Sequence, residues 1–146
     1  MDSLHINTGG VRLSINDDPS RVIEFNPQDV SFVERFYSLL SEFEQKEAEY
    51  KNKAAEIAKD QSLDSYGIPN STGPALILLR ETCEYLRAKI DYVFGEGISQ
   101  KAFGTANTLD MFEQFFTGIT PYVQKSRDKQ VQKYTARGHN KPSALK

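Results

Sequence analysis

The chain of 146 residues has no tryptophan, one cysteine and two histidines. A lone thiol closes no intrachain disulfide, and Cys83 with His5 and His139, which lie far apart in sequence, falls short of the four ligands of a structural zinc site. No run of about 18 apolar residues exists, so no membrane-spanning helix is expected. The opening residues MDSLHINTGG lack the basic, apolar and small-residue order of a secretory signal, and the expected location is a cytoplasm. The sequon at Asn70-Ser71-Thr72 is then a chance match. Glycine occurs as Gly9-Gly10, as Gly95 and Gly97, and at Gly104, but neither GxxxxGKS/T nor a strand-linked GxGxxG is present, which leaves nucleotide binding without support.

What is present is a modest core and an ample polar surface: 38% hydrophobic and 26% charged residues. A chain of this size suits one domain burying roughly two-thirds of its unfolded surface. The net charge of −2 hides an asymmetry. Residues 125–146 hold seven Lys/Arg against Asp128 alone, whereas the rest of the chain is acidic. The expected division is therefore a single domain over 1–124 and a separate basic tail, helical or disordered, over 125–146.

The first 25 residues alternate like strands. Leu4 and Ile6 precede Thr8-Gly9-Gly10, then Val11, Leu13 and Ile15 share a face, which predicts a hairpin around the glycines. Asn16 to Ser20, with Pro19, reads as a second turn, and Arg21 to Phe25 as a third strand. The result is a small antiparallel meander that needs a covering layer.

That layer begins at FNPQDVSFVERFYSLLSEFEQ. Asn26 is the expected cap, Pro27 the first helical residue, and Asp29 the acid of the first turn. Val33, Phe36, Tyr37, Leu40 and Phe43 recur at steps of three and four as an inward stripe. Past Phe43 the stripe thins to Ala48, Tyr50, Ala54 and Ile57, while Glu42/Lys46, Glu47/Lys51 and Glu49/Lys53 form pairs four apart, each worth about 0.3–0.5 kcal/mol. Asp60 to Pro74 reads as a loop. Pro74 opens a second helix with a seam of Leu76, Leu79, Cys83, Leu86, Ile90 and Val93, ended by Gly95 and Gly97. Asn107 or Thr108 starts a third, with Leu109, Phe112, Phe115, Phe116 and Ile119 inward; Pro121 is expected to kink or divide it. A last amphipathic segment through about Tyr134 gives way to Gly138–Pro142, expected to be disordered. The fold class is α+β, mainly α: the meander over 1–25, then a bundle of three to four helices and a flexible basic tail.

Candidate chemistry is thin. Cys83 sits in the apolar seam and reads as a core thiol. Neither histidine has a nearby nucleophile and acidic orienter. Glu81 and Glu84 lie among Arg80, Arg87 and Asp91, with Arg80/Glu84 and Arg87/Asp91 four apart, as on a solvated, ion-paired face. Asp17 and Asp18 read as turn formers without the ligand count of a calcium loop. No catalytic, cofactor or metal residue is assigned, and the chain reads as no enzyme.

The segments EFNPQDVSFVERFYSLLSEFE, DYVFGEGISQKAFG and NTLDMFEQFFTGITPYVQK resemble small tail assembly chaperones encoded by long-tailed bacteriophages and related prophages. The resemblance spans roughly residues 10–135. It implies a mainly helical, non-catalytic protein of the host bacterial cytoplasm that coats the tape measure protein, helps recruit tail tube subunits and self-associates. The aromatics exceed what a small helical core needs: most are expected in the core and a minority, such as Tyr50 and the Phe115/Phe116 pair, at an interface, since exposed aromatics dominate binding hot spots. The candidate partner-binding residues are Phe36, Tyr37, Phe43, Tyr50, Phe112, Phe115, Phe116 and Tyr122. Two rival readings stand beside this one: a structural tail or head-tail completion protein of the virion, and a small nucleic-acid-binding regulator using the basic tail.

Overall fold

The computed structural model describes residues 1–144, with side chains described as far as residue 135. Strands β1 (Val11–Ile15) and β2 (Asp18–Phe25) pair antiparallel, and helices α1 (Val30–Ala58), α2 (Thr72–Phe94), α3 (Ile98–Phe103) and α4 (Leu109–Ala144) follow. A small sheet before a helical bundle is the expected architecture. Among the described residues, however, the sheet has two strands, and residues 1–10 form none.

The missing strand has a local cause. Asn26 donates its side-chain amide to the Thr8 carbonyl, and the Gly9 N–H donates to Asn7 Oδ1 at 2.9 Å. Residues 7–9 are thereby tied to the far end of β2 instead of turning back on β1. The approach is close: a Cβ on Gly9, whose φ is +89°, would lie 2.6 Å from Asn26 Oδ1. Leu4 and Ile6 are left exposed, since alternation cannot hold a strand that finds no second layer.

The β1–β2 turn is also tighter than expected. Asn16 and Asp17 both have positive φ, 52° and 59°, the conformation of a two-residue hairpin turn with the right twist. Pairing then slips, from Ile15 with Asp18 to Ser14 with Val22. Pro19 lies in this irregularity, where its missing donor is tolerated. The same irregularity precedes Arg21, whose Nε donates to the Lys101 carbonyl at 2.8 Å and whose second nitrogen donates to that of Ala102 at 2.7 Å. A cation thus closes the negative end of the short helix α3.

Asp29, rather than Asn26, caps α1, its carboxylate accepting from the Ser31 N–H at 3.0 Å. Asn26 and Pro27 form the turn before it: Asn26 Oδ1 accepts from the Gln28 N–H and its carbonyl from the Asp29 N–H. Proline suits that turn as well as it suits a first helical residue. The α2 start is earlier than Pro74, at Thr72. The segment ISQKAF, expected as plain connection, is helix α3. Its N-terminus is capped from α2, since Asp91 Oδ1 accepts from the Ser99 N–H at 2.8 Å. Thr108, one of the two residues expected to begin α4, caps it, its hydroxyl oxygen accepting from the Met111 N–H.

Pro121 does not divide α4, which runs on through it. One lost donor and a ring against the preceding turn do not outweigh the burial of Phe112, Phe115, Phe116, Ile119 and Val123 along the same helix. The expected loosening at Gly138 to Pro142 falls inside α4, beyond the residues whose side chains are described.

One apolar cluster joins all the layers. Ile23 and Phe25 come from β2, Phe32, Val33, Phe36, Leu39 and Phe43 from α1, Cys83, Leu86, Ile90 and Val93 from α2, and Ile98 and Ala102 from α3, closed by the buried face of α4. The α1 stripe is rotated slightly from expectation, with Phe32 and Leu39 inside and Tyr37 and Leu40 at its margin. Phe94 is the aromatic hub, 5.2–6.0 Å between ring centroids from Phe25, Phe32, Phe36 and Phe115.

Candidate partner-binding surfaces

The eight aromatic candidates divide by burial. Phe36 and Phe112 are fully enclosed, and Phe43, Phe115 and Phe116 are buried with them. These five are core residues, and their assignment to a partner surface is corrected here: a ring already surrounded by the chain's own side chains offers nothing to another molecule. Tyr37 and Tyr122 are partly exposed and Tyr50 is half-buried.

The exposed tyrosines do not form one patch. Tyr37 donates its hydroxyl to Gln124 Oε1 at 3.0 Å, on one flank of α4. Tyr122 packs edge-on against Phe25, 6.3 Å between centroids, on the other flank. The buried Val123 lies in sequence between Tyr122 and Gln124, the partner of Tyr37, and because successive helical residues are turned by about 100° these two positions face different flanks of α4.

Two helical projections carry the exposed apolar surface instead. The ring of Phe43 meets that of Phe116, and Tyr37 meets Gln124, so α4 runs antiparallel to α1. Likewise Glu42 pairs with Lys89 at 3.6 Å and Lys46 lies 4.4 Å over the Tyr85 ring, so α2 returns along α1. Past Phe43 on α1 and before Thr82 on α2, no residue is buried. The two helices form an arm beyond the core, tipped by the loop 59–71. In the opposite direction α4 continues past Val123, the last buried residue among those whose side chains are described, with Val131 and Tyr134 exposed.

Sequence reasoning missed the arm's apolar side chains. Leu76, assigned to the seam, is 62% exposed, Ile77 is 46% exposed, and Leu63, Tyr66 and Ile68 crown the loop. A signal for part of this was available. Leu76-Ile77-Leu78-Leu79 is an unbroken apolar run, which covers more of a helix's circumference than one seam can bury. The loop carried no signal, since single apolar residues in loops are ordinary.

The arm is held by charge and turn chemistry. Lys51–Glu47 at 3.5 Å and Lys53–Glu49 at 2.7 Å are the expected pairs, as is Arg80–Glu84 at 3.8 Å. Glu42 does not pair with Lys46, which reaches Glu49 instead at 3.6 Å. The Lys53 bond, with Lys46 nearby, holds the Glu49 carboxyl below the usual range. Arg87 and Asp91 form no pair with each other either; both turn to backbone groups around α3.

As to chemistry, Cys83 is wholly buried and its thiol is pushed up by desolvation. Asp18 accepts from the backbone and hydroxyl of Ser20, which hold its carboxyl below the usual range, as befits a turn former. His5 lies in the exposed N-terminal segment; the His139 side chain lies outside the described residues. Among the described residues, no group of three metal-ligating side chains gathers, and no helix is long and apolar enough to cross a membrane. The cleft between α1 and α2, about 290 Å³, is lined by the charged Glu34, Arg35, Glu42 and Lys89 together with Ser38, Leu39, Tyr92 and Val93.

Residues 20–143 match the family described as Family of unknown function (DUF6673). The chain belongs to this family. The DUF6673 match begins within β2 and ends within α4, so it takes in the arm and the projecting helix along with the core. No curated protein and no solved structure gives a match.

Proposed function

We propose that this protein is a non-catalytic assembly chaperone of phage tails, acting in the host bacterial cytoplasm. Its partner would be the tape measure protein, a long helical chain that it holds before tail tube subunits are recruited. The observation that carries this reading is the arm. Two long helices lie side by side with no buried residue past Phe43 on one and before Thr82 on the other, while Tyr50, Ile57, Leu76, Leu78 and Leu79 remain wholly or partly open. Such a pair gains apolar burial when a third helix lies along it, the helix-in-groove mode of recognition. Each leucine-sized side chain covered contributes about 1.5–3 kcal/mol, so a long partner is held by many modest contacts. Bond chemistry is not needed.

The test is co-expression with a phage tape measure protein, followed by co-purification. A stable soluble complex that is weakened by Leu76→Ser with Tyr50→Ala, and absence of the protein from finished particles, are the expected results. Its presence in purified particles, with no complex formed, would favour a structural tail component. The basic run Lys125, Arg127, Lys129 and Lys133 on α4 favours a second reading, a nucleic-acid-binding regulator. Binding to duplex DNA that falls steeply with salt would support that reading; no DNA binding at low salt dismisses it.

A further inference from the structure

The loop at the tip of the arm is ordered by its own polar groups. Asp60 Oδ1 accepts from the N–H and hydroxyl of Ser62, and Asp64 Oδ1 accepts from the N–H groups of Tyr66 and Ile68 at 2.8 and 3.0 Å. The Asp64 N–H donates to the Ile68 carbonyl, the Asn70 N–H to that of Ser62, and Leu63 and Pro69 form an isolated bridge. This miniature hairpin faces its apolar side chains outward: Tyr66 is 88% exposed and Leu63 60%. A loop that spends its polar groups on fixing its shape while leaving an aromatic in water is preorganised for contact.

Its charge narrows the partner. Residues 56–79 contain Glu56, Asp60 and Asp64 against Lys59 alone, which pairs with Glu56 at 2.9 Å. The Ser62 bonds hold the Asp60 carboxyl below the usual range, so it stays ionised in mild acid. At the other end of the molecule, residues 125–135 hold four Lys/Arg against Asp128, which is bound to Gln124, and expose Val131 and Tyr134. One end is acidic with an apolar crown and the other is basic with apolar residues. They cannot meet within one chain. From Tyr37, level with Gln124, the arm runs about 30 Å one way while α4 runs the other.

We propose that the tip loop of one copy docks on the projecting part of α4 of a second copy, head to tail. The contact stands on this chain's own charges and exposed side chains and does not depend on the tape measure reading. Because the two surfaces differ, the contact is heterologous and each copy keeps one free end, which builds rings or open arrays instead of a closed dimer. Four apolar side chains, Leu63 and Tyr66 with Val131 and Tyr134, and a few charges make a small interface, so each contact is weak and salt-sensitive, and arrays hold through their number.

The test uses full-length protein in sedimentation experiments at low and high salt. Wild type is expected to grow beyond a dimer with concentration at low salt and to dissociate at high salt. A tip variant, Tyr66→Ala with Glu56→Lys, and a tail variant, Lys129→Glu with Lys133→Glu, each alone are expected to associate about tenfold more weakly or worse. All four positions are remote from the core, and circular dichroism checks that both variants fold. Mixed together, the two variants still own one intact tip and one intact tail, and should form a one-to-one pair and nothing larger. A wild type that stays monomeric at low salt, a wild type that stops at a dimer, variants that assemble like wild type, or a mixture that stays monomeric each overturns the proposal. None of these outcomes bears on whether the arm captures a helical partner.

Discussion

Arg87 Nε meets Asn107 Oδ1 at 3.0 Å across twenty residues of sequence. The same guanidinium donates to the carbonyls of Ser99 and Ala106 and lies over the Phe103 ring. One side chain of α2 therefore fixes α3 and its link to α4. Arg87→Ala is expected to cost about 1–3 kcal/mol, because three acceptors lose a shared donor. Arg87→Lys should recover little of this, since an ammonium lacks the planar fork. Urea midpoints at unchanged slope are the measurement.

Phe36→Ala should cost about 3–5 kcal/mol, the range for emptying a core aromatic site. Its neighbour Tyr37→Ala, on the margin, should cost about 1 kcal/mol or less. Thermal melts of the two variants separate core from surface. Equal losses would place the Tyr37 ring deeper than its exposure indicates.

Cys83 should be silent in the folded protein. Burial raises its thiol pKa, with Arg87 opposing in part. The folded value then lies above the unfolded one, near 8.5. This contribution to stability is fully present below the unfolded pKa and is lost as pH rises through the folded one. Labelling by a thiol reagent should accelerate only as urea unfolds the chain, and wild type should lose more stability above about pH 8.5 than Cys83→Ala does. Fast labelling without denaturant would refute the buried placement.

Pro121→Ala should stabilise the protein. The proline sits at an exposed position of α4 and leaves the Thr117 carbonyl without its helical donor. Restoring that donor is expected to add about 1–3 kcal/mol, read as a raised melting temperature. A lowered one would show that the ring packs better than the helix hydrogen bond it displaces.

Much of this fold is legible along the chain. Steps of three and four located α1, α2 and α4, and the seam Cys83, Leu86, Ile90, Val93 is buried as read. Thr108 caps as its side chain predicts, and Glu47/Lys51 and Glu49/Lys53 pair as their spacing predicts. These are local facts: helical geometry alone sets which residues share a face.

What only the tertiary structure decided is how far each face is covered. Phe115 and Phe116 are enclosed because Phe94, Phe103 and Phe43 come to them from other elements, while Leu76 stays open because nothing meets its turn of the arm. Arg87 and Asp91 look like an ion pair in sequence, yet α3 offers them backbone partners that spacing cannot foresee. Periodicity states the direction in which a side chain points. Whether another surface waits there depends on residues far away in the chain, and that is settled only when the layers close.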